Sequence, residues 1–301
     1  MSLLTEFAQL NTSKYKRFFV IGCSFTEWYW PTWANIIAEQ NPHLEFYSFA
    51  KSGQGNIYIS TILNQLTHTY NLCETDLVGI MWSSFHRTDY YTSSKTTLHD
   101  IVITEDINIL KNSLHNWDIH GDTIHAQLKN GIEINGYCDR GFLLRDLAII
   151  DNATTVMEHA PYTAFQMYSI EPEQQNNYDP TFNNIHRDNS DAIDTYSHLQ
   201  HKMVSKTSLF NEMGNTFTTP TVTWIPSNEP EDSSKKEVDC HPPSSIYCQF
   251  LQNNGYTLTS RTLDKCKFFD TKIQKITWSM QLQNNKDWPY KVMMQNKDWP
   301  L

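Results

Sequence analysis

Short apolar runs alternate with amphipathic stretches through the first part of the chain, a rhythm that predicts strands and helices in turn and hence an α/β domain. Phe18-Phe19-Val20-Ile21 forms the first run, a buried strand over about 17 to 22. Pro31 then stands near the first turn of a helix through Gln40, whose apolar face is Trp33, Ile36 and Ile37. Leu44 to Phe49 is the second strand, followed by a long helix with Ile57, Ile62, Leu63, Leu66 and Tyr70 on one face. The third strand runs from Asp76 to Trp82.

Residues 88 to 140 break the rhythm. They are polar, with apolar runs at Ile101 to Leu110 and Ile132 to Ile134, and read as an insertion with helical pieces over one edge of the sheet. From Gly141 a helical pattern resumes through Phe142, Leu143, Leu147, Ile150, Val156 and Met157 and ends near Ala160-Pro161. Thr163 to Ile170 has the composition of a fourth strand, and 171 to 200 that of a long surface loop. Thr221 to Ile225 is a short strand, Ser227 to Glu237 a charged loop, and 257 to 283 one or two helices. The expected organisation is a loosely held arm over 1–15, one α/β domain over 16–255 with insertions at 88–140 and 171–200, and a helical extension over 256–301.

Polar residues gather where the strands end. Gly22-Cys23-Ser24 lets the backbone turn sharply out of the first strand and displays Ser24 as a nucleophile at the carboxyl edge of the sheet, where open α/β folds bind ligands. Ala50-Lys51-Ser52-Gly53-Gln54-Gly55-Asn56 opens the next helix, a geometry that points backbone N–H groups at an anion. Its spacing fits neither the Walker nor the dinucleotide pattern, which leaves a smaller oxyanion or glycines that only shape the turn. Ser83-Ser84-Phe85-His86-Arg87 ends the third strand. With right-handed crossovers the junctions at 22–26, 50–56 and 82–87 lie side by side. Trp28, Trp30 and Trp33 either line a pocket beside Ser24 or pack their helix onto the sheet. Much later, Val238-Asp239-Cys240-His241-Pro242-Pro243 places a histidine in a loop, after a carboxylate and before prolines that fix the backbone, as suits a general base.

Composition removes other classes. The 301 residues carry 23 Lys and Arg against 33 Asp and Glu, with no basic block, which argues against nucleic acid. No apolar run approaches the roughly 20 residues that cross a bilayer. Met1-Ser2-Leu3-Leu4-Thr5-Glu6 lacks the regions of a signal peptide, so the expectation is a soluble chain made in a cytoplasm, with no membrane partner. Six cysteines are scattered without a C-x-x-C pair, and most of the twelve histidines, such as His43, His68, His99 and His115, lie in polar surroundings; no metal or other cofactor is expected.

The Gly22-Cys23-Ser24-Phe25-Thr26 block, the Ser52-Gly53-Gln54-Gly55-Asn56 turn and the late Asp239-Cys240-His241-Pro242 block together resemble the SGNH, or GDSL-like, hydrolase superfamily, in a variant like those encoded by bacteriophages. The resemblance spans about residues 16 to 255 and implies a flavodoxin-like α/β/α fold of three layers around a central, mostly parallel sheet. It implies that Ser24 attacks an ester carbonyl, that His241 takes the proton, and that Asp239 orients the imidazole. The N–H groups of Ser24 and Gly53 would meet the oxyanion, with Gly55 the substitute donor in a shifted turn. Gly55, Asn56, Trp82, His86 and Arg87 are the expected substrate contacts. Family members cleave carboxylic esters, including acetyl groups on sugars, or acyl thioesters, without a metal.

Two positions depart from that pattern. Trp82-Ser83-Ser84-Phe85 stands where the family has Gly-x-Asn-Asp, so Ser84, or Ser83, would replace an amide donor. Asp239 precedes His241 by two residues where the family has three, and Val238 holds the usual acid position. The resemblance therefore implies either an esterase acting on an acylated small molecule or polysaccharide, or a catalytically silent descendant serving as a virion structural or glycan-binding protein.

Asn285-Lys286-Asp287-Trp288-Pro289 is echoed by Asn296-Lys297-Asp298-Trp299-Pro300. Trp is a favoured interface anchor and Pro pre-orders an extended chain, so 284–301 reads as a docking tail for a partner or a sister subunit, or as a tail folded back on its own domain. Deleting 284–301 and measuring assembly by light scattering separates the two: a docking tail takes assembly with it, and unchanged assembly removes the idea.

Overall fold

Phe18, Phe19, Val20 and Ile21 are all fully buried because their strand is covered on both faces. The computed structural model describes residues 3–28, 30–51, 53–85, 87–91, 117–120, 139–172, 190–214, 222–224, 237–239 and 241–273. Its sheet contains β1 (Leu3–Leu4), β2 (Arg17–Ile21), β3 (Glu45–Ser48), β4 (Asp76–Trp82) and β7 (Thr163–Tyr168) in the order β1-β7-β4-β2-β3. Every pairing is parallel, and in the central register Val20 lies between Ser48 of β3 and Gly79 of β4.

Alternation along β2 assigns the layers. Phe19 and Ile21 face one core with Ile59, Ile62, Leu63 and Leu66 of α2 (Asn56–Thr69) and Leu143, Leu147 and Ile150 of α3 (Asp139–Glu158). Phe18 and Val20 face the other, with Trp33, Ile36 and Ile37 of α1 (Trp33–Gln40), Tyr247, Phe250 and Leu251 of α6 (Ser244–Asn253) and Cys266 of α7 (Ser260–Ile273). Helices thus cover both faces of a parallel sheet, as the pattern predicts, and β2, β3 and β4 are the side-by-side strands.

Other segments differ from expectation. The first residues are no loose arm: Leu3 and Leu4 pair with Ala164 and Phe165 at the sheet edge, and Phe7 is buried between Phe165 and Tyr256. Three early apolar side chains in a polar context were enough to dock it. Within 88–140, β5 (Thr88–Tyr91) and β6 (Trp117–His120) form an antiparallel pair, while the helical pieces expected at 101–110 and 132–134 lie outside the described residues. The long loop after β7 includes α4 (Ser190–Thr195), with Ala192 buried against the α2–α3 core, and a further turn, α5 (Leu209–Glu212). The short strand expected at 221–225 is β8 (Val222–Trp224), paired with β9 (Glu237–Asp239). The repeated tail at 284–301 lies outside the described residues. Among the described residues no helix is long and apolar enough to cross a membrane.

Gly79 shows how tightly the layers close. A Cβ there would stand 2.7 Å from Phe165 Cζ and 3.1 Å from Trp33 Cη2. Gly79→Ala is expected to cost about 1–3 kcal/mol through overpacking, read from the midpoint of urea unfolding at constant slope; an unshifted midpoint would show that α1 can retreat from the sheet.

Candidate active site

β2 ends in a turn that only glycine can begin. A Cβ on Gly22 would fall 2.0 Å from Thr26 Oγ1, because the chain folds back at once, with the N–H groups of Thr26 and Glu27 donating to Cys23 O at 2.9 and 3.2 Å. The turn is pinned from α1: the Thr32 hydroxyl donates to Thr26 O at 2.6 Å and the Trp33 indole N–H to Thr26 Oγ1 at 3.3 Å. Ser24, inside this turn, is 3% exposed, and its hydroxyl makes no hydrogen bond among the described residues.

The turn after β3 lies against it, with Lys51 N–H donating to Gly22 O at 3.1 Å. Gly53 sits at φ 77°, a left-handed conformation that suits glycine. Among the described residues neither the Ser24 N–H nor the Gly53 N–H has an acceptor, so two donors remain at the place expected for an oxyanion. Gly55 is differently placed. Its N–H donates to Asp89 Oδ1 at 2.6 Å, and the Tyr58 N–H to Asp89 Oδ2 at 2.8 Å, so the positive end of α2 already holds a carboxylate of the chain itself. Burial pushes the Asp89 carboxyl above its ordinary range, against these two N–H bonds. A Cβ on Gly55 would meet Arg87 Cβ at 2.8 Å and Asp89 Oδ2 at 2.9 Å, which is why this position is glycine.

The third junction is tied to the second by Asn56. Its side chain accepts from Ser83 N–H at 2.8 Å and donates to Ser83 O at 3.2 Å and to Asp146 Oδ2 at 2.9 Å. Arg145 holds the other Asp146 oxygen at 2.7 Å and reaches Arg87 O, while Arg87 Nη1 donates to Gln54 O at 3.1 Å. Asn56, Gly55 and Arg87, expected as substrate contacts, are therefore engaged inside the protein. Trp82 is too: it is fully buried, with its indole N–H donated to Gln166 Oε1 at 2.8 Å. Ser84 is 3% exposed at the end of β4, and His86 lies outside the described residues. Beside this network two further side chains stand out. The whole carboxamide of Gln54 and the hydroxyl of Ser83 are buried without a hydrogen bond.

His241 arrives from the other end of the chain. Trp30 Nε1 donates to Pro242 O at 2.7 Å and the Ser244 hydroxyl to Pro31 O at 2.9 Å, which lash the His241-Pro242-Pro243 segment to the loop that follows Ser24. Asp270 of α7 takes the N–H groups of Ser244 and Ser245, at 2.8 and 3.1 Å, and so caps α6 just beyond the histidine. The imidazole stacks on Trp28, with centroids 3.6 Å apart and planes at 18°, and lies 5.1 Å from the Phe25 ring. Of the three tryptophans, Trp33 packs the sheet, Trp30 holds the histidine loop and Trp28 meets the histidine itself. Asp239 ends β9, paired with Val222.

No family model matches the chain, and no curated protein matches it in sequence. One solved structure is similar. It is the YxiM protein of Bacillus subtilis, 9% identical over 81% of this chain and 58% of that one, with a TM-score of 0.36. The chain thus spans less than two thirds of that protein's length.

The sequence places Ser24, Gly53 and Ser84 in turns beside the sheet and His241 in a proline-fixed loop, but does not reveal the groups that anchor the neighbouring elements. Asp89, Asp146 and Asp270 each serve an element distant in sequence, and an isolated carboxylate gives no local signal of that. Trp28 was already among the tryptophans expected near Ser24, while Phe25, inside the Gly22–Thr26 block, was not, although its aromatic ring was the available cue.

Two predictions follow from these buried groups. Burial raises the Asp146 carboxyl to about 7 from an ordinary value near 3.8, with Arg145 and Asn56 opposing. Between those values the folded state holds a proton the unfolded state has lost, so this group's contribution to stability is complete at acid pH and falls as pH rises through about 7. Denaturant unfolding from pH 4 to 8 should show that fall, and Asp146→Asn should flatten it; an unchanged slope in the variant would mean that Asp146 is ionised in the fold. Gln54→Met removes an unbonded carboxamide without opening a cavity and should stabilise the protein by about 1 kcal/mol or more in thermal melts; a loss of stability would show that the amide is bonded in solution.

Proposed function

We propose that the chain is a serine esterase of the SGNH type, with Ser24 as nucleophile and His241 as base, acting on a carboxylic ester such as an O-acetyl group on a polysaccharide. The observation that carries this reading is the packing of His241 against Phe25 and Trp28, which brings a base from the far end of the chain to the residues that follow Ser24. Ser24, at 3% exposure within a turn closed by Thr26, suits a small acyl group better than a bulky one.

In this reading Ser24 Oγ bonds to the ester carbonyl carbon as its proton passes to the His241 imidazole. The carbonyl oxygen becomes an oxyanion that takes the N–H groups of Ser24 and Gly53, each donor worth on the order of 2.7–4 kcal/mol in an unrelated protease. Collapse breaks the ester C–O bond, and the imidazolium returns the proton to the departing alcohol. Water then repeats the sequence on the acyl-serine and releases the acid. Asp239 is assigned the orientation of the imidazole, and Ser84 the place of the side-chain oxyanion donor.

A second reading, a catalytically silent glycan-binding protein, is favoured by one observation: the Ser24 hydroxyl has no hydrogen bond among the described residues, so nothing there activates it in this state. Catalytic hydrogen bonds often tighten only when substrate is bound, which keeps the esterase first. Short-chain aryl esters and a serine-directed fluorophosphonate separate the two. The esterase turns over the ester and labels, and Ser24→Ala loses both, with turnover down by about four orders of magnitude or more. Labelling that survives in Ser24→Ala, or a wild-type protein that neither labels nor turns over, sinks the mechanism.

A further inference from the structure

A histidine that accepts a proton from a serine must keep its ring in one plane and must tolerate becoming a cation. Both requirements are met on one side of His241 by an aromatic face. The Trp28 indole lies 3.6 Å from the imidazole, centroid to centroid, with only 18° between planes, while Phe25 closes on the ring at 5.1 Å and 44°. Trp28 is itself braced at 6.2 Å and 87° by the buried Trp30, whose N–H holds Pro242 O, so the stack and the backbone that carries the histidine share one support. We infer that Trp28 is the positioning residue of His241: the indole fixes the plane of the imidazole and stabilises its protonated form through the π face.

The physical basis is a parallel contact. An imidazolium laid flat on an indole places its positive ring over the negative face of the aromatic system, and indole is the best of the side-chain faces for a cation. Stacking also removes water from one side of the imidazole, which works against the charge, but Trp28 and His241 are both only partly buried, so the outer side stays hydrated. The charged groups on the elements that meet here have other roles or belong to the assigned site. Glu27, on the Trp28 loop, accepts from the Ser48 hydroxyl, and Asp270, on α7, is capped onto Ser244 and Ser245. Asp239 lies two residues before the histidine on β9. The roles would be complementary: in the proposed esterase a carboxylate orients the imidazole from its edge, and Trp28 holds its face.

The inference rests on the esterase reading for its consequence but not for its test. His241 is followed by histidine-labelled NMR in the full chain, with His241→Gln assigning its resonance. In the wild type, ring protons held over Trp28 are shifted upfield. In Trp28→Leu that shift disappears and the titration midpoint of His241 moves to lower pH by several tenths of a unit or more; Trp28→Phe, which keeps a smaller face, recovers part of both. On aryl esters, Trp28→Leu lowers kcat about tenfold with KM changed less than about threefold, and the acid limb of the pH profile moves with the NMR midpoint. If Trp28→Leu melts like the wild type yet leaves both the ring shift and the midpoint unchanged, the inference is overturned. If Trp28→Leu unfolds, Trp28→Phe alone decides: a midpoint identical to that of the wild type overturns it, and an intermediate one supports it. A wild type that shows the ring shift and the lowered midpoint in Trp28→Leu, but no ester turnover, retires the esterase and leaves the Trp28 clamp standing.

Discussion

The Asn56 carboxamide is the interaction on which the carboxyl edge of the sheet depends. It is fully buried and answers both backbone groups of Ser83, so the residue just past β4 finds its backbone partners in a side chain once the strand has ended. Its remaining N–H goes to Asp146 of α3. One side chain thus joins the start of α2, the end of β4 and the middle of α3, and the Gly53–Gly55 turn is held across the end of β2 because α2 begins there. Asp89 and Arg87 complete the anchorage, the first filling the N-terminus of α2 and the second taking Gln54 O. In a low-dielectric interior hydrogen bonds of this kind reinforce one another, so the loss of one weakens the others.

On the opposite face the candidate base is held by different means. α6 and α7 dock on α1 through Tyr247, Phe250, Leu251 and Cys266, and that apolar contact brings the His241 loop to the Trp28–Pro31 segment. The Ser24 turn is therefore local to β2, whereas the place of His241, the proposed base, depends on contacts between the two ends of the domain. Such contacts form late, because the loop that must close is long and its entropy has to be overcome before the docking face is buried. A chain that has built its sheet but not seated α6 would hold Ser24 in place without His241.

What the sequence disclosed follows the same division. The strands, the helices of the first half and Ser24 were legible because apolar period and glycine position are local signals. The fixed loop at His241-Pro242-Pro243 was legible because prolines set its backbone. The docking of Leu3 and Leu4 was not, since two residues carry no period, and their value as an edge strand appears only when β7 stands beside them. Asn56, Trp82 and Arg87 were expected to face substrate, yet the structure shows their side chains bonded within the protein, as is the Gly55 N–H; sequence places a residue at a strand end but not the direction of its side chain. Asp89 was hidden for a related reason. A helix N-terminus after a glycine turn reads as an empty anion site until the carboxylate from another segment that fills it is seen.

The unsatisfied groups are as informative as the satisfied ones. Among the described residues, buried side-chain atoms without a hydrogen bond include those of Ser83 and Ser169, which directly follow β4 and β7, Gln54 in the turn before α2, and Gln65 within α2. A buried polar atom left unbonded costs about 1–3 kcal/mol, and folded proteins carry few of them. A scatter of such defects would mean loose packing, but the surrounding side chains are closely packed enough to exclude a Cβ at Gly22 and Gly55. Two of them, Ser83 and Ser169, directly follow the adjacent strands β4 and β7, at the edge where, among the described residues, the N–H groups of Ser24 and Gly53 also have no acceptor. Preorganised dipoles aimed at a charge not yet present have this property: they are costly in the resting protein and are repaid only when the charge develops. In the proposed esterase the local instability of the edge and its capacity for chemistry would have the same origin, and a sequence that relieved the first would remove the second.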